Sequence, residues 1–337
     1  MIQKLKYNSM DAILCLIMNG LQWKLRHHVT TRELIEKYLD ESNKLDRAQF
    51  FAAGPMEEMS FSDDTIKWKS PSASKYPENH YAHALFFPST KKDLSPKTLI
   101  FLHALMSSGD RGYRKIATRL NAQGWNVLFP HLPFHYSRTP HGSLSGSLAV
   151  TADLVRNGKT IQQSVKEARQ LVQWARKNGS EEVAILGTSY GGWVAALLLS
   201  VEPIETAFLL QPIVNTGHAT FRSPIALTIG QLLKHRGITE AHLNRHAHLT
   251  SPLHGTPFSS SSSVAIIGGT YDAISPPRYL QQLCKKWKGS SYYEVPQGHF
   301  GFLAMEKALK LIESDETSRL SSIRVRKSVN LNISSIS

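Results

Sequence analysis

Cysteine is nearly missing from this chain: 337 residues hold two, Cys15 and Cys284. They form no Cys-x-x-Cys pair and no metal-ligand spacing, which excludes a disulfide scaffold and fits a reducing compartment, expected to be the cytoplasm. No apolar run reaches the roughly 20 residues that a membrane-spanning helix requires. Glycine (21) and proline (16) are too sparse for a collagen-like or low-complexity chain. A Gly-x-Gly-x-x-Gly pattern and a phosphate-binding loop are also lacking, so no cofactor is expected. Acidic residues are in deficit: 26 Asp and Glu face 39 Lys and Arg, a formal charge of +13. Such a surface favours anionic partners. The basic residues are scattered, however, and the two clusters at 4–28 and 319–327 lack the interleaved aromatics of a nucleic-acid platform. No nucleic-acid partner is expected. What the chain does have is 41% hydrophobic against 19% charged residues, enough for the packed core of a soluble globular protein.

The first 60 residues are set apart. An apolar stretch opens after Asp11 and is closed by Asn19 and Gly20, and no small-x-small cleavage site follows, so a secretory signal is not expected. Ile13, Leu14, Ile17, Leu21 and Leu25 fall at helical spacing. Residues 1–60 are therefore expected to form an amphipathic helical extension docked on the main domain. Peripheral contact with an anionic membrane surface is the alternative.

From residue 58 onward, β-type runs alternate with helical ones. Strands are predicted at 81–87, 98–103, 125–129, 183–186, 207–210, 263–268 and 292–295. Two intervening helices have clear faces. One runs through Tyr113, Ile116, Ala117 and Leu120, the other through Ile161, Val165, Ala168, Leu171, Val172 and Ala175; Gly124 and Gly179 stop them. This order predicts an α/β domain over 61–314, with a mostly parallel central sheet and helices on both faces. Residues 213–257 break the alternation and carry their own helix around 225–233. They are expected to form a lid-like insertion. Residues 315–337, rich in Ser, Asn and Arg, are predicted to be a disordered basic tail. Oligomeric state is open.

The most informative segment is Val183-Ala184-Ile185-Leu186-Gly187-Thr188-Ser189-Tyr190-Gly191-Gly192. It reads as a buried strand, a Gly-x-Ser-x-Gly turn, and a helix beginning near Trp193. A nucleophile elbow needs this arrangement, because the serine sits at the tip of a tight, strained turn whose flanks leave no room for side chains. Serine is a weak nucleophile without a base. The chain order Ser, acid, His points to Asp272, after an apolar strand and a short glycine turn, and to His299, in the glycine-flanked loop Gln297-Gly298-His299-Phe300-Gly301. The competing acid position, after the preceding strand, holds Gln211-Pro212 and no carboxylate. An oxyanion hole needs two N–H donors. Tyr190, next to the nucleophile, is one; Leu105, in the loop after His103, is the other, with Ala104 as second choice.

On these motifs, residues 81–312 resemble the α/β-hydrolase family, with Ser189, Asp272 and His299 matching its triad. His103-Ala104-Leu105 is similar to its His-Gly-x turn, with Ala104 in place of glycine. The acid loop and residues 125–138 are most similar to the dienelactone-hydrolase-like and acyl-peptidase-like branches. The resemblance implies a serine hydrolase acting on an acyl bond, most simply a carboxylic ester of a small-molecule or lipid substrate. A peptidase, thioesterase or acyltransferase would use the same machinery, and an idle scaffold acting as a binding module is the alternative of another class. His103 and His131, which end strands at the active-site edge, are expected to line the pocket. Ile225 and Ile229, with Leu227, Leu232 and Leu233, are expected to wall it. His242, His246 and His248 lack a further ligand in reach and are expected to be solvated, so no metal is expected.

Overall fold

The computed structural model describes residues 2–72, 74–91, 96–258 and 263–314; the predicted tail at 315–337 lies outside them. Among the described residues, nine strands form one sheet: β1 (Glu57–Ser62), β2 (Thr65–Lys69), β3 (Tyr81–Phe87), β4 (Lys97–Leu102), β5 (Trp125–His131), β6 (Glu182–Thr188), β7 (Thr206–Leu210), β8 (Val264–Gly269) and β9 (Ser291–Val295). The spatial order is β1-β2-β3-β5-β4-β6-β7-β8-β9. Pairing is antiparallel from β1 to β5 and parallel from β5 to β9. The first two strands lie outside the strands that the sequence pattern predicts. Every residue of β1 is exposed, so it carries no hydrophobic signal. In β2 the alternation was present, with Ile66 and Trp68 buried between exposed lysines, but it is only five residues long.

Helices cover both faces because the parallel strands are apolar on both sides. In β4, Ile100 and Leu102 point to one face, into the layer formed by α5 (Leu154–Lys177), α6 (Tyr190–Leu198) and, farther along the sheet, α10 (Pro277–Lys286). Leu99 and Phe101 point to the other, against α4 (Arg111–Asn121) and α11 (Leu303–Glu313). Both layers are closely filled, with Val165, Leu171, Leu197 and Leu280 among the fully buried residues of the first.

Residues 213–257 form α7 (Thr216–Phe221), α8 (Leu227–His235) and α9 (Glu240–Thr250). The N-terminal helices α1 (Ile2–Lys24), α2 (Arg32–Ser42) and α3 (Arg47–Phe50) clamp this segment. Asn19 donates to the Pro224 carbonyl and accepts the Thr228 N–H, both at 2.8 Å. Arg245 of α9 pairs with Glu36 and Asp40 of α2. Arg47 donates to the carbonyls of His248 and Ser251 at 2.7 and 2.8 Å. The inward face of α1 differs from the expected apolar stripe. Asp11, Cys15 and Gln22 are buried, whereas Ile13, Leu16, Ile17 and Trp23 face outward. Polar anchoring, invisible to a hydrophobic pattern, turned the helix. No described helix is long and apolar enough to cross a membrane.

Candidate active site

The turn between β6 and α6 holds Ser189 at φ +52° and ψ −110°, a strained conformation for a residue with a side chain. Its surroundings enforce the strain. A Cβ on Gly187 would run into the Gly191 carbonyl, and one on Gly191 would run into the Leu102 and His103 carbonyls at the end of β4. The Ser189 N–H is anchored to the Leu210 carbonyl at 2.8 Å, and its own carbonyl accepts the Trp193 N–H at 2.9 Å to start the helix. Only the hydroxyl is left to project.

The loops after β8 and β9 bring the partners. Ser189 Oγ lies 2.8 Å from His299 Nε2, and His299 Nδ1 lies 2.8 Å from Asp272 Oδ2. Asp272 Oδ1 accepts the N–H groups of Ile274 and Ser275, both at 2.8 Å. A carboxylate in this position can only accept, so Nδ1 carries the imidazole proton and Nε2 is free to accept from the Ser189 hydroxyl. Burial pushes the Asp272 carboxyl up, but the His299 charge and hydrogen bonds from His299, Ser275 and Gln211 outweigh it and hold it below its ordinary value. Burial pushes His299 down, yet the Asp272 charge and hydrogen bond leave it raised.

Gln211, seen in the sequence only as a missing acid, is a partner of this group. It sits at φ +46° directly after β7. Its Nε2 donates to Asp272 Oδ2 at 2.5 Å and to the Gly298 carbonyl at 2.9 Å, while its Oε1 accepts from Gln297 Nε2 at 2.6 Å. One amide thus ties the acid's loop to the histidine's loop. The available signal was positional: Gln211 follows a strand at the edge that carries Ser189 and Asp272.

A cavity of about 330 Å³ opens beside Ser189. Ala104, Leu105 and Met106 of the turn after β4 line it next to Tyr190, and Met106 stands at φ +59°. Ile225 and Ile229 line its wall together with Val150, Leu154 and Ile161. Met18 and Gln22 of α1 join them, which no local pattern announced. Leu232, Leu233 and Leu227 do not line it: Leu232 and Leu233 pack with Ile35 and Leu39 behind the wall, and Leu227 is 51% exposed.

The two histidines expected in the pocket are elsewhere. His103 is fully buried; its Nδ1 donates to the Ala104 carbonyl at 2.9 Å and its Nε2 accepts the Leu132 N–H at 3.1 Å, clipping one strand-end loop to the next. His131 bonds Ser137 Oγ at 2.8 Å and stacks on Tyr136, away from the cavity. His242 and His246 are buried, not solvated. His242 Nδ1 accepts the Thr239 N–H and caps α9, while His246 lies within hydrogen-bond reach of Tyr38 and Ser42 at the cavity's lining.

These buried imidazoles set a pH dependence of stability. Burial pushes His135 and His246 down to about 4, and His103 well below its ordinary value. The unfolded chain takes up protons near pH 6.5, so stability falls as pH drops from about 6.5 toward 4. Each of His135 and His246 contributes at most about 3 kcal/mol to that fall. His299, raised in the fold, acts in the opposite direction but is outnumbered. The urea midpoint is expected to be clearly lower at pH 5 than at pH 7.5; equal midpoints would contradict this assignment.

Residues 64–222 match the family described as Alpha/beta hydrolase domain containing 18. The acetyl xylan esterase from Paenibacillus sp. R4 has the same fold, with a TM-score of 0.58 at 14% identity over 86% of this chain and 98% of that one. The chain has the α/β-hydrolase fold. Acetyl xylan esterase 1 from Thermoanaerobacterium sp. JW/SL YS485 is similar to this chain with a TM-score of 0.55 at 16% identity, over 87% and 98% of the two chains. An acylaminoacyl peptidase in complex with Z-Gly-Gly-Phe-chloromethyl ketone gives 0.50 at 14% identity, over 79% of this chain and 44% of that one. At such identities the likeness is one of fold. No curated protein matches this chain.

Proposed function

We propose that the chain is a serine hydrolase that cleaves carboxylic esters of apolar acyl groups. The observation that carries this reading is the hydrogen-bonded series Ser189, His299, Asp272, of which Ser189 and His299 line a largely apolar cavity. Ser189 Oγ attacks the ester carbonyl carbon as its proton passes to His299 Nε2. Asp272 keeps the imidazole oriented and stabilises the imidazolium. The oxyanion is held by the N–H of Tyr190, the first residue of α6, where the helix dipole adds to the donor. The N–H of Leu105 completes the pair; the close approach of Gly191 to the end of β4 supports this placement. Collapse expels the alcohol, which takes the proton from His299. Water then attacks the acyl-serine, giving its proton to His299, and release of the carboxylic acid returns that proton to Ser189. The sequence uses no cofactor. The free Cys15 and Cys284 support a reducing compartment such as the cytoplasm.

The acyl chain is assigned to the cavity wall of Ile225 and Ile229. Each methylene that leaves water there contributes up to about 0.8 kcal/mol, or roughly fourfold in kcat/KM. A series of p-nitrophenyl esters from acetyl upward tests the reading: kcat/KM is expected to climb with chain length and then level off. Ile225→Trp and Ile229→Trp are expected to move the optimum to shorter chains and to cut the long-chain to acetyl ratio by roughly 10-fold or more. An optimum that stays put while both variants remain folded would contradict the assignment of the wall.

A further inference from the structure

The N-terminal helix reaches the far side of the histidine loop. Asp11 of α1 is only 7% exposed. Its Oδ2 accepts the backbone N–H of His299 at 2.7 Å, and its Oδ1 lies 3.4 Å from the Phe300 nitrogen. The helix and the loop are fitted to each other: a Cβ on Gly298 would run into this carboxylate. Eight residues on, Asn19 fastens the same helix to Pro224 and to Thr228 in the first turn of α8 through two hydrogen bonds. A helix that merely packed would put an aliphatic side chain against His299. Here a carboxylate is buried instead, which is unfavourable unless its interactions repay the lost hydration.

We propose that Asp11 is a positioning residue for His299. From the N-terminal helix it fixes the backbone of the base and sets a second negative charge beside the imidazole, so that full activity requires α1 in its docked place. The proposal rests on His299 being the general base. The charged and titratable groups around Asp11 are His299 and Asp272 on the loop side and Cys15 one turn along α1. His218, Arg222, Tyr271 and Arg278 line a surface groove together with Asp11, and Arg222 is paired to Glu240. Burial raises the Asp11 carboxyl above its ordinary value, against the pull of two backbone N–H groups and His299. Its charge in turn raises His299.

The test titrates the imidazole itself. The full chain, with histidine labelled at Cε1, is followed by NMR against pH; the His299 signal is the one lost in His299→Gln. In Asp11→Asn the His299 titration is expected to move to lower pH by about half a unit or more. Turnover of a p-nitrophenyl ester is expected to lose roughly 10-fold to 100-fold in kcat, with KM little changed and the acid limb of the pH profile displaced in the same direction. Asn19→Ala, which loosens α1 away from the site, is expected to produce the same displacement to a smaller degree and serves if Asp11→Asn does not fold. An unmoved His299 titration in a folded Asp11→Asn overturns the proposal. So does a lower melting temperature with kcat and titration both unchanged, which would make Asp11 a packing residue only. If Asp11→Asn is unfolded, an unmoved titration in Asn19→Ala, with α1 shown by proteolysis to be undocked, overturns it equally. Because the titration is read without turnover, a wild-type chain that hydrolyses no ester would count against the hydrolase reading while the Asp11–His299 coupling is still measured.

Discussion

Ser189→Ala is expected to lower kcat for a p-nitrophenyl ester by about a millionfold while leaving the chain folded. Loss of the hydroxyl removes the nucleophile, and the cavity and N–H donors that stay behind accelerate hydrolysis by water only about 10³–10⁴-fold. The fold is expected to survive because the elbow's geometry does not depend on Oγ. The backbone is held by the bond from the Ser189 N–H to Leu210 and by the tight fit at Gly187 and Gly191, and alanine bears the positive φ as serine does. Thermal unfolding should match the wild type within a few degrees. A folded Ser189→Ala chain with more than about 1% of wild-type turnover would contradict the role given to this residue.

Asp272→Asn is expected to lower kcat by roughly 10⁴. The reason lies in the donors that surround the carboxylate. One oxygen accepts two backbone N–H groups, from Ile274 and Ser275; the other accepts from Gln211 Nε2 and His299 Nδ1. An asparagine must turn its NH₂ toward one of these pairs. Turned toward Ile274 and Ser275, it leaves two buried N–H groups without acceptors, at a cost of about 1–3 kcal/mol each. Turned the other way, it loses the bond from Gln211 Nε2, which keeps its bond to the Gly298 carbonyl, and it donates to His299 Nδ1, driving the imidazole proton onto Nε2, where it faces Ser189 and cannot accept. The second arrangement keeps the backbone bonds and is the one expected. Turnover measured beside a urea melt decides the matter; near-normal kcat in a folded variant would place the acid elsewhere.

The parts of this molecule legible in the sequence are those whose cause is local. The elbow shows itself because Gly187, Ser189 and Gly191 meet a steric demand within five residues, with an apolar strand before it and a helix after it. The strands β3 to β9 and the helices α4 and α5 show themselves by period. What stayed hidden depends on contacts between distant segments. His103 looked like a pocket residue from its place at a strand end, but a hydrogen bond to Leu132, 29 residues away, turns it into the interior. The orientation of α1 is set by Asp11 and Asn19, whose partners lie more than 200 residues along the chain. Gln211 could be placed at the correct edge of the sheet, yet its role lies in a side-chain amide shared between two loops. Short, exposed β1 gave no signal at all, since its pairing with β2 alone makes it a strand.

The central claim, that Ser189 is the activated nucleophile of an ester hydrolase, is tested most directly by the site of covalent modification. The chain is treated with a fluorophosphonate at neutral pH, digested, and the adduct located by peptide mass spectrometry. One stoichiometric adduct on Ser189 is expected, absent after Ser189→Ala and strongly slowed in His299→Gln. An unmodified Ser189 in the folded chain, or an adduct on another residue, would contradict it.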